Sequence, residues 1–141
     1  MQVTASVRVR YAETDQMGIV YYANYLVWFE IGRVELLRSL GLAYSQMESE
    51  ERCILPVVEC NCRYRAPARY DDEVLIEARP TLMRNSVIKF GYRILRKEPG
   101  GAEPTLLAEG ETAHVVCDEQ LNKINMPSRY ASALKAMIQR A

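Results

Sequence analysis

The sequence predicts an α+β domain in which one long buried helix lies across a curved antiparallel sheet of about five strands. Three observations carry this expectation. The chain opens with a stretch of period two. A run at helical spacing follows, and the second half returns to period two in short pieces divided by turn residues. A length of 141 residues suits one ordinary domain, residues 1–141, and is too short for two.

Val3, Ala5, Val7 and Val9 alternate with Thr4, Ser6, Arg8 and Arg10, the mark of a half-buried strand. Tyr11 to Val20 has no period and contains Gly18. From about Tyr22 to Leu40 the residues Leu26, Phe29, Arg33, Leu36, Leu37 and Leu40 recur at three- and four-residue steps. Val27, Trp28, Ile31 and Val34 are apolar off that stripe, so the helix is expected to be buried on more than one side. Gly32 in its middle costs about 1 kcal/mol against alanine, which close approach of another backbone would offset. Gly41 suits a left-handed cap, and a short helical or irregular piece is expected over 43–51.

Ile54, Val58, Cys60, Cys62 and Tyr64 then share one parity, with Glu59, Asn61, Arg63 and Arg65 on the other. Ala66-Pro67-Ala68 ends this strand, and Tyr70-Asp71-Asp72 reads as a turn. Further alternations run through Val74, Ile76 and Ala78, and through Ile88, Phe90, Tyr92 and Ile94. Glu98-Pro99-Gly100-Gly101 is a strong turn. Leu106 to Cys117 is the last strand, and Met126-Pro127-Ser128 starts a C-terminal helix ending near Arg140. Short turns between successive strands favour antiparallel pairing. Five strands leave open edges, so self-association is expected.

Hydrophobic residues make up 49% and charged residues 26% of the chain, a globular balance. Eighteen basic residues offset eighteen acidic ones, so no overall charge steers the protein toward nucleic acid or an anionic membrane. No stretch approaches ~18 consecutive apolar residues, and Met1 to Arg10 alternates instead of forming a signal-peptide core. A cytoplasmic location is expected. Cys53, Cys60, Cys62 and Cys117 read as buried, reduced thiols, Cys60 and Cys62 on one strand face. A metal site would want more donors, the only histidine being His114, so neither metal nor cofactor is expected.

The segment from Tyr11 to Tyr25 stands out chemically. It is rich in aromatics, holds two acids and a glycine, and opens the long helix. Gly18 lets the chain turn, so the Asp15 carboxylate can fold back toward the first helical turn. That turn has backbone N–H groups without intrahelical acceptors and the positive end of the helix dipole. Such an end holds an anion, or a carbonyl oxygen gaining negative charge. A carboxylate beside it is a minimal acyl-hydrolysis arrangement. A turn or capping role for Asp15 is the alternative reading. Glu13, nearer the strand end, is expected to face solvent or pair with an arginine.

The run Thr-Asp-x-x-Gly-x-Val-Tyr-Tyr-x-Asn-Tyr, Thr14 to Tyr25, resembles the 4-hydroxybenzoyl-CoA thioesterase family of hot-dog proteins. The resemblance continues through Phe29-Glu30-x-x-Arg33-x-Glu35 and resumes at Tyr64-x-Ala66-Pro67-Ala68-x-Tyr70-Asp71-Asp72. It implies the hot-dog fold, Asp15 as catalytic aspartate, and Tyr22 at the helix start whose backbone amide receives the thioester oxygen. Some relatives carry histidine where this chain has Tyr22; a main-chain donor survives that difference, a histidine acid–base role does not. It also implies substrate-binding positions at Tyr11, at Glu30 (which could equally pair with Arg33) and at Arg84, a basic turn that contacts CoA phosphates in a relative. Trp28 and Phe29 read as helix core and His114 as structural. Arg63 and Arg65 read as a solvated strand face with some chance of binding phosphate.

The expected function is hydrolysis of an acyl-CoA thioester without a cofactor, Asp15 acting as general base or as nucleophile. Thiolate leaves readily, which suits a site without histidine. The alternative is a non-catalytic acyl-CoA-binding or regulatory module. A hot-dog dehydratase would want a histidine–acid pair, and His114 lies far along the chain. The expected partners are the acyl-CoA substrate and further copies of the chain, as homodimer or homotetramer. No nucleic-acid or membrane partner is expected. Aromatic, short and long acyl groups all stay open, as does acyl carrier protein in place of CoA.

Overall fold

The computed structural model describes residues 2–140. β3 (Glu73–Arg84), β4 (Val87–Arg96) and β5 (Thr105–Val115) form the middle of one sheet, each joined to the next by a turn. Asn85, in the left-handed region at φ +56, closes the first turn. Gly100 and Gly101, at φ +70 and +72, close the second. β1 (Val3–Arg8) flanks β3, and β2 (Val57–Tyr64) flanks β5. The order is β1-β3-β4-β5-β2, with every neighbouring pair antiparallel. The helix α1 (Asn24–Ser39) lies against one face, followed by the short α2 (Tyr44–Glu50); α3 (Ser128–Arg140) packs beside β3. This is the expected α+β arrangement of a helix held in a five-stranded antiparallel sheet.

Contacts of α1 define the inner face. Phe29 stacks flat on Tyr92, with ring centroids 4.3 Å apart and planes at 7°. A Cβ on Gly32 would lie 2.5 Å from Ile76 Cγ2 and 3.3 Å from the Ala78 Cβ. The glycine therefore accommodates side chains of β3, not the backbone expected from its position. The buried face also differs from the expected stripe. It runs through Tyr25, Trp28, Phe29, Gly32, Leu36 and Leu37, while Leu26 is 38% and Val27 49% exposed. The rings of Tyr25 and Trp28, 4.8 Å apart, claim the inward positions and rotate the stripe by about one residue. At the C-terminal end Leu42 N–H donates to Leu37 O and Gly41 N–H to Arg38 O, with Gly41 at φ +73. This is a Schellman cap, and Gly41 is the residue expected there.

β1 departs from simple alternation. The register slips between Val3 and Ala5, and the Thr4 hydroxyl turns inward to donate to Gly32 O at 3.1 Å. β2 begins at Val57, later than the expected strand start, because Pro56 has no N–H for the ladder. Ile54 instead bridges to Cys117. All four cysteines are free thiols, but only Cys53 and Cys117 are buried. Cys60 and Cys62 do share a face, pairing with Thr112 and Gly110. Cys60 is nevertheless exposed and Cys62 only half-buried, because the edge strand β2 runs beyond the cover of α1.

His114 is a structural residue. Its Nδ1 bonds Leu55 O at 3.0 Å and its Nε2 bonds Thr112 Oγ1 at 2.8 Å; Thr112 Oγ1 also bonds Tyr92 OH at 2.6 Å. A carbonyl can only accept, so the Nδ1 proton is assigned to Leu55 O and Nε2 accepts from Thr112. Burial pushes His114 down to about 4, against the opposing pull of the Leu55 bond. The neutral ring ties the approach to β2 onto β5. It stands with the inner core and not with the segment containing Asp15.

Candidate active site

The loop after β1 is tied by short-range hydrogen bonds. Tyr11–Glu13 makes a single 3₁₀ turn, and Thr14 pairs with Val20 across a tight loop. Asp15 N–H donates to Ile19 O at 2.9 Å, and Gly18 N–H returns to Asp15 O at 3.0 Å. Gly18 has φ +79, the left-handed conformation this turn requires. Met17 N–H donates to Asp15 Oδ1 at 2.8 Å. Asp15 is thus a turn residue with one oxygen held by the backbone, and Oδ2 accepts no bond among the described residues. The turn reading and the chemical reading of this carboxylate are compatible.

The chain then runs directly into α1. Val20 N–H donates to Ala68 O and Tyr21 N–H to Glu13 O. The Asn24 side-chain amide also reaches Glu13 O, at 2.9 Å. Glu13 itself pairs with Arg10, as its place near the strand end suggested. Asn24 N–H donates to Tyr21 O, Tyr25 N–H to Tyr22 O and Leu26 N–H to Ala23 O. The N–H groups of Tyr22 and Ala23 find no acceptor among the described residues. No side chain caps this end, where Ala23 stands at the cap position. Two open donors therefore mark the positive end of a 16-residue helix.

Asp15 and Tyr22 line one cleft of about 380 Å³ with Tyr25, Tyr64 and Arg65; Met17, Ile19 and Pro67 contribute apolar wall. The Tyr21 phenol beside it is raised, chiefly by Tyr22 and lastly by the Asp15 charge. Tyr25 is buried, its hydroxyl oxygen accepts from Ala68 N–H at 3.2 Å, and burial raises its phenol. Its ring meets Tyr64 edge-on at 5.0 Å. A larger cleft of about 600 Å³ opens near Arg79, Arg93 and Arg140, but no carboxylate, thiol or hydroxyl lines it.

The other expected site residues lie outside this cleft. Tyr11 is 78% exposed and packs edge-on against Tyr70. Glu30 is exposed on α1 and forms no ion pair with Arg33 among the described residues. Arg84 ends β3 opposite Val87, whose β5 partner is Val115, whereas Tyr64 pairs with Ala108. The seven residues from Ala108 to Val115 span roughly 24 Å at ~3.4 Å per residue, so Arg84 sits at the far end of the sheet. Sequence reasoning missed Tyr25, Tyr64 and Arg65 as cleft residues. For Tyr64 the signal was its parity, which places it on the helix face just before Ala66-Pro67-Ala68.

The family model for the thioesterase superfamily matches residues 17–103. The acyl-CoA thioester hydrolase YbgC of Escherichia coli is 38% identical over 115 residues, covering 82% of this chain and 81% of its own. A hypothetical protein of Thermus thermophilus superposes with a TM-score of 0.85 at 34% identity, over 96% of this chain and 99% of that one. An Asp-to-Asn variant of 4-hydroxybenzoyl-CoA thioesterase, solved with 4-hydroxybenzoyl-CoA bound, superposes with a TM-score of 0.83 at 25% identity. It covers 92% of this chain and 96% of that one.

Proposed function

The chain belongs to the thioesterase superfamily and is an acyl-CoA thioester hydrolase, and we propose that its reaction takes place in the cleft of Asp15. The observation that carries this reading is the meeting in one cleft of a carboxylate, Asp15, with Tyr22, whose N–H is open at the helix start. The acyl carbonyl lies with its oxygen toward the N–H of Tyr22 at the helix start, which stabilises the negative charge that grows there. Asp15 acts in one of two ways. As nucleophile, it attacks the carbonyl carbon, the C–S bond breaks, and water hydrolyses the resulting anhydride to release the acid. As base, it takes a proton from a water whose oxygen attacks the same carbon. Either way one water is consumed, the thiolate leaves and takes up a proton, and the carboxylate is restored. The test is a panel of acetyl-, benzoyl- and palmitoyl-CoA followed by free-thiol release. A folded protein that binds these thioesters and releases no thiol is the non-catalytic module instead.

Arg65 at the cleft rim and Arg84 at the far end are the proposed contacts for the CoA phosphates, with Tyr11 and Glu30 proposed along the substrate path. Arg65 lines the cleft and is bonded to Glu109 at 2.7 Å. Arg84 serves the same substrate only if the nucleotide runs along the sheet or a second subunit supplies the residue. An exposed arginine on phosphate adds affinity more than rate and is screened by salt. Arg84→Ala should therefore raise KM for acyl-CoA with kcat nearly unchanged. The effect should shrink at high ionic strength and vanish for a pantetheine thioester. Equal weakening of truncated and full substrates would remove Arg84 from nucleotide recognition.

A homodimer or homotetramer is proposed on the same grounds. β2 is an edge strand whose Val57, Val58 and Tyr64 are 46%, 61% and 45% exposed, and Leu26 and Val27 of α1 also face outward. An open, apolar edge of this kind favours pairing with a second copy. Light scattering at micromolar concentration should give at least twice the 16.1 kDa chain mass, and a clean monomer would contradict it. No helix among the described residues is long and apolar enough to cross a membrane.

A further inference from the structure

Tyr64 reaches the helix start from the opposite wall of the cleft. Its hydroxyl donates to Tyr22 O at 2.9 Å, a contact between residues 42 apart in sequence. Among the described residues the only other donor to that carbonyl is Tyr25 N–H, at a long 3.3 Å. The Tyr22 carbonyl and the Ala23 N–H belong to one peptide plane, and that N–H is one of the two open donors. A bond accepted at the carbonyl fixes the rotation of that plane and with it the backbone at Tyr22, the cleft residue whose own N–H is the other open donor. Tyr21 O, on the preceding plane, is already held at 2.9 Å by Asn24 N–H. The two planes on either side of Tyr22 are thus held at their carbonyls, one by the helix itself and one by a side chain of β2.

We propose that Tyr64 is a positioning residue for the thioesterase reaction, holding the backbone at Tyr22 so that the Tyr22 N–H is aimed as oxyanion donor. Tyr64 touches no reacting atom in this role; it acts through the peptide it holds. Two further features suit it to the task. Partial desolvation, and then the nearby Cys62 thiol, hold its phenol above the ordinary tyrosine range, so the hydroxyl keeps its proton at any physiological pH. Its ring is set by the edge-on contact with Tyr25, which is itself buried. The donor is therefore aimed by packing before substrate arrives. This inference rests on the cleft of Asp15 being the reaction site.

The test is Tyr64→Phe, which keeps the ring and removes the donor. With whichever of acetyl-, benzoyl- or palmitoyl-CoA turns over fastest, kcat should fall about tenfold while KM stays within about twofold, the pattern of an interaction felt mainly in the transition state. The same thioester labelled with ¹³C at its carbonyl supplies a direct readout. Bound to the slow Asp15→Asn protein, its infrared carbonyl band should lie below the free value, and adding Tyr64→Phe should move it back upward. Unchanged kcat with an unmoved band would overturn the inference, as would a loss of kcat matched by a fall in thermal stability and a rise in KM. Normal turnover by Asp15→Asn alone would instead remove the site reading on which it rests, so the two failures are distinguishable.

Discussion

Replacing Asp15 by asparagine should lower kcat by roughly 10²–10⁴-fold, the range expected when an acid–base or nucleophilic group is lost. The substitution is unusually clean here. The loop needs an acceptor at Oδ1 for Met17 N–H, and asparagine supplies the same acceptor in the same turn. Gly18, the Thr14–Val20 pair and the backbone bonds of the loop do not depend on charge. What disappears is the anionic oxygen, with the cleft and its open amide left in place. Thiol release measured on a variant with wild-type melting behaviour decides the matter. Turnover near the wild-type rate would take Asp15 out of the mechanism.

Gly110→Ala should be the most damaging small change in the sheet. A Cβ at this position would lie 2.2 Å from Asn61 O and 2.9 Å from Phe29 Cζ. Neither neighbour yields easily. Asn61 is part of the β2–β5 ladder opposite Glu111, and Phe29 is pinned flat against Tyr92. Overpacking of this kind costs about 1–3 kcal/mol, and a clash with backbone belongs at the upper end. A loss near 3 kcal/mol corresponds to a drop in Tm of roughly 10 °C for a domain of this size. Thermal unfolding followed by circular dichroism checks it. A change of under about 2 °C would mean that β2 shifts outward at little cost.

Much of the architecture could be read from periodicity, because burial of one face imposes it. The inner residues Ile88, Phe90 and Ile94 of β4 are fully buried and follow the alternation expected of them. Gly41 could be placed as a cap because few residues tolerate its φ. The orientation of α1 was less legible. Leucine, tyrosine and tryptophan all count as apolar in a helical pattern, and only three-dimensional packing decides that Tyr25 and Trp28 turn inward while Leu26 turns out. The exposure of Cys60 was hidden for a related reason: alternation does not reveal which strand stands at an edge. At the site, the local pairing of Asp15 with the helix start could be anticipated from eleven consecutive residues, Asp15 to Tyr25. Tyr64 and Arg65 could not, since they arrive from a strand whose place beyond β5 no local spacing announces.

The strand order has a consequence for how the cleft comes into being. β3, β4 and β5 can zip together as a meander, beginning from contacts as short in sequence as Arg84 with Val87. β2 must instead join β5 across pairings such as Cys60 with Thr112, and the chain entropy of closing so long a loop is repaid only after the meander exists. One wall of the cleft, Tyr64 to Pro67, comes from the end of that late-arriving strand and the segment after it, and the rest from the loop after β1 and the start of α1. The same asymmetry holds in reverse in the native protein. β2 has a single strand neighbour and an uncovered face, so it belongs to the region that detaches at the least free energy, while β3 and β4 stay paired on both sides. The wall that carries Tyr64 is therefore among the last parts of the molecule to assemble and among the first to open.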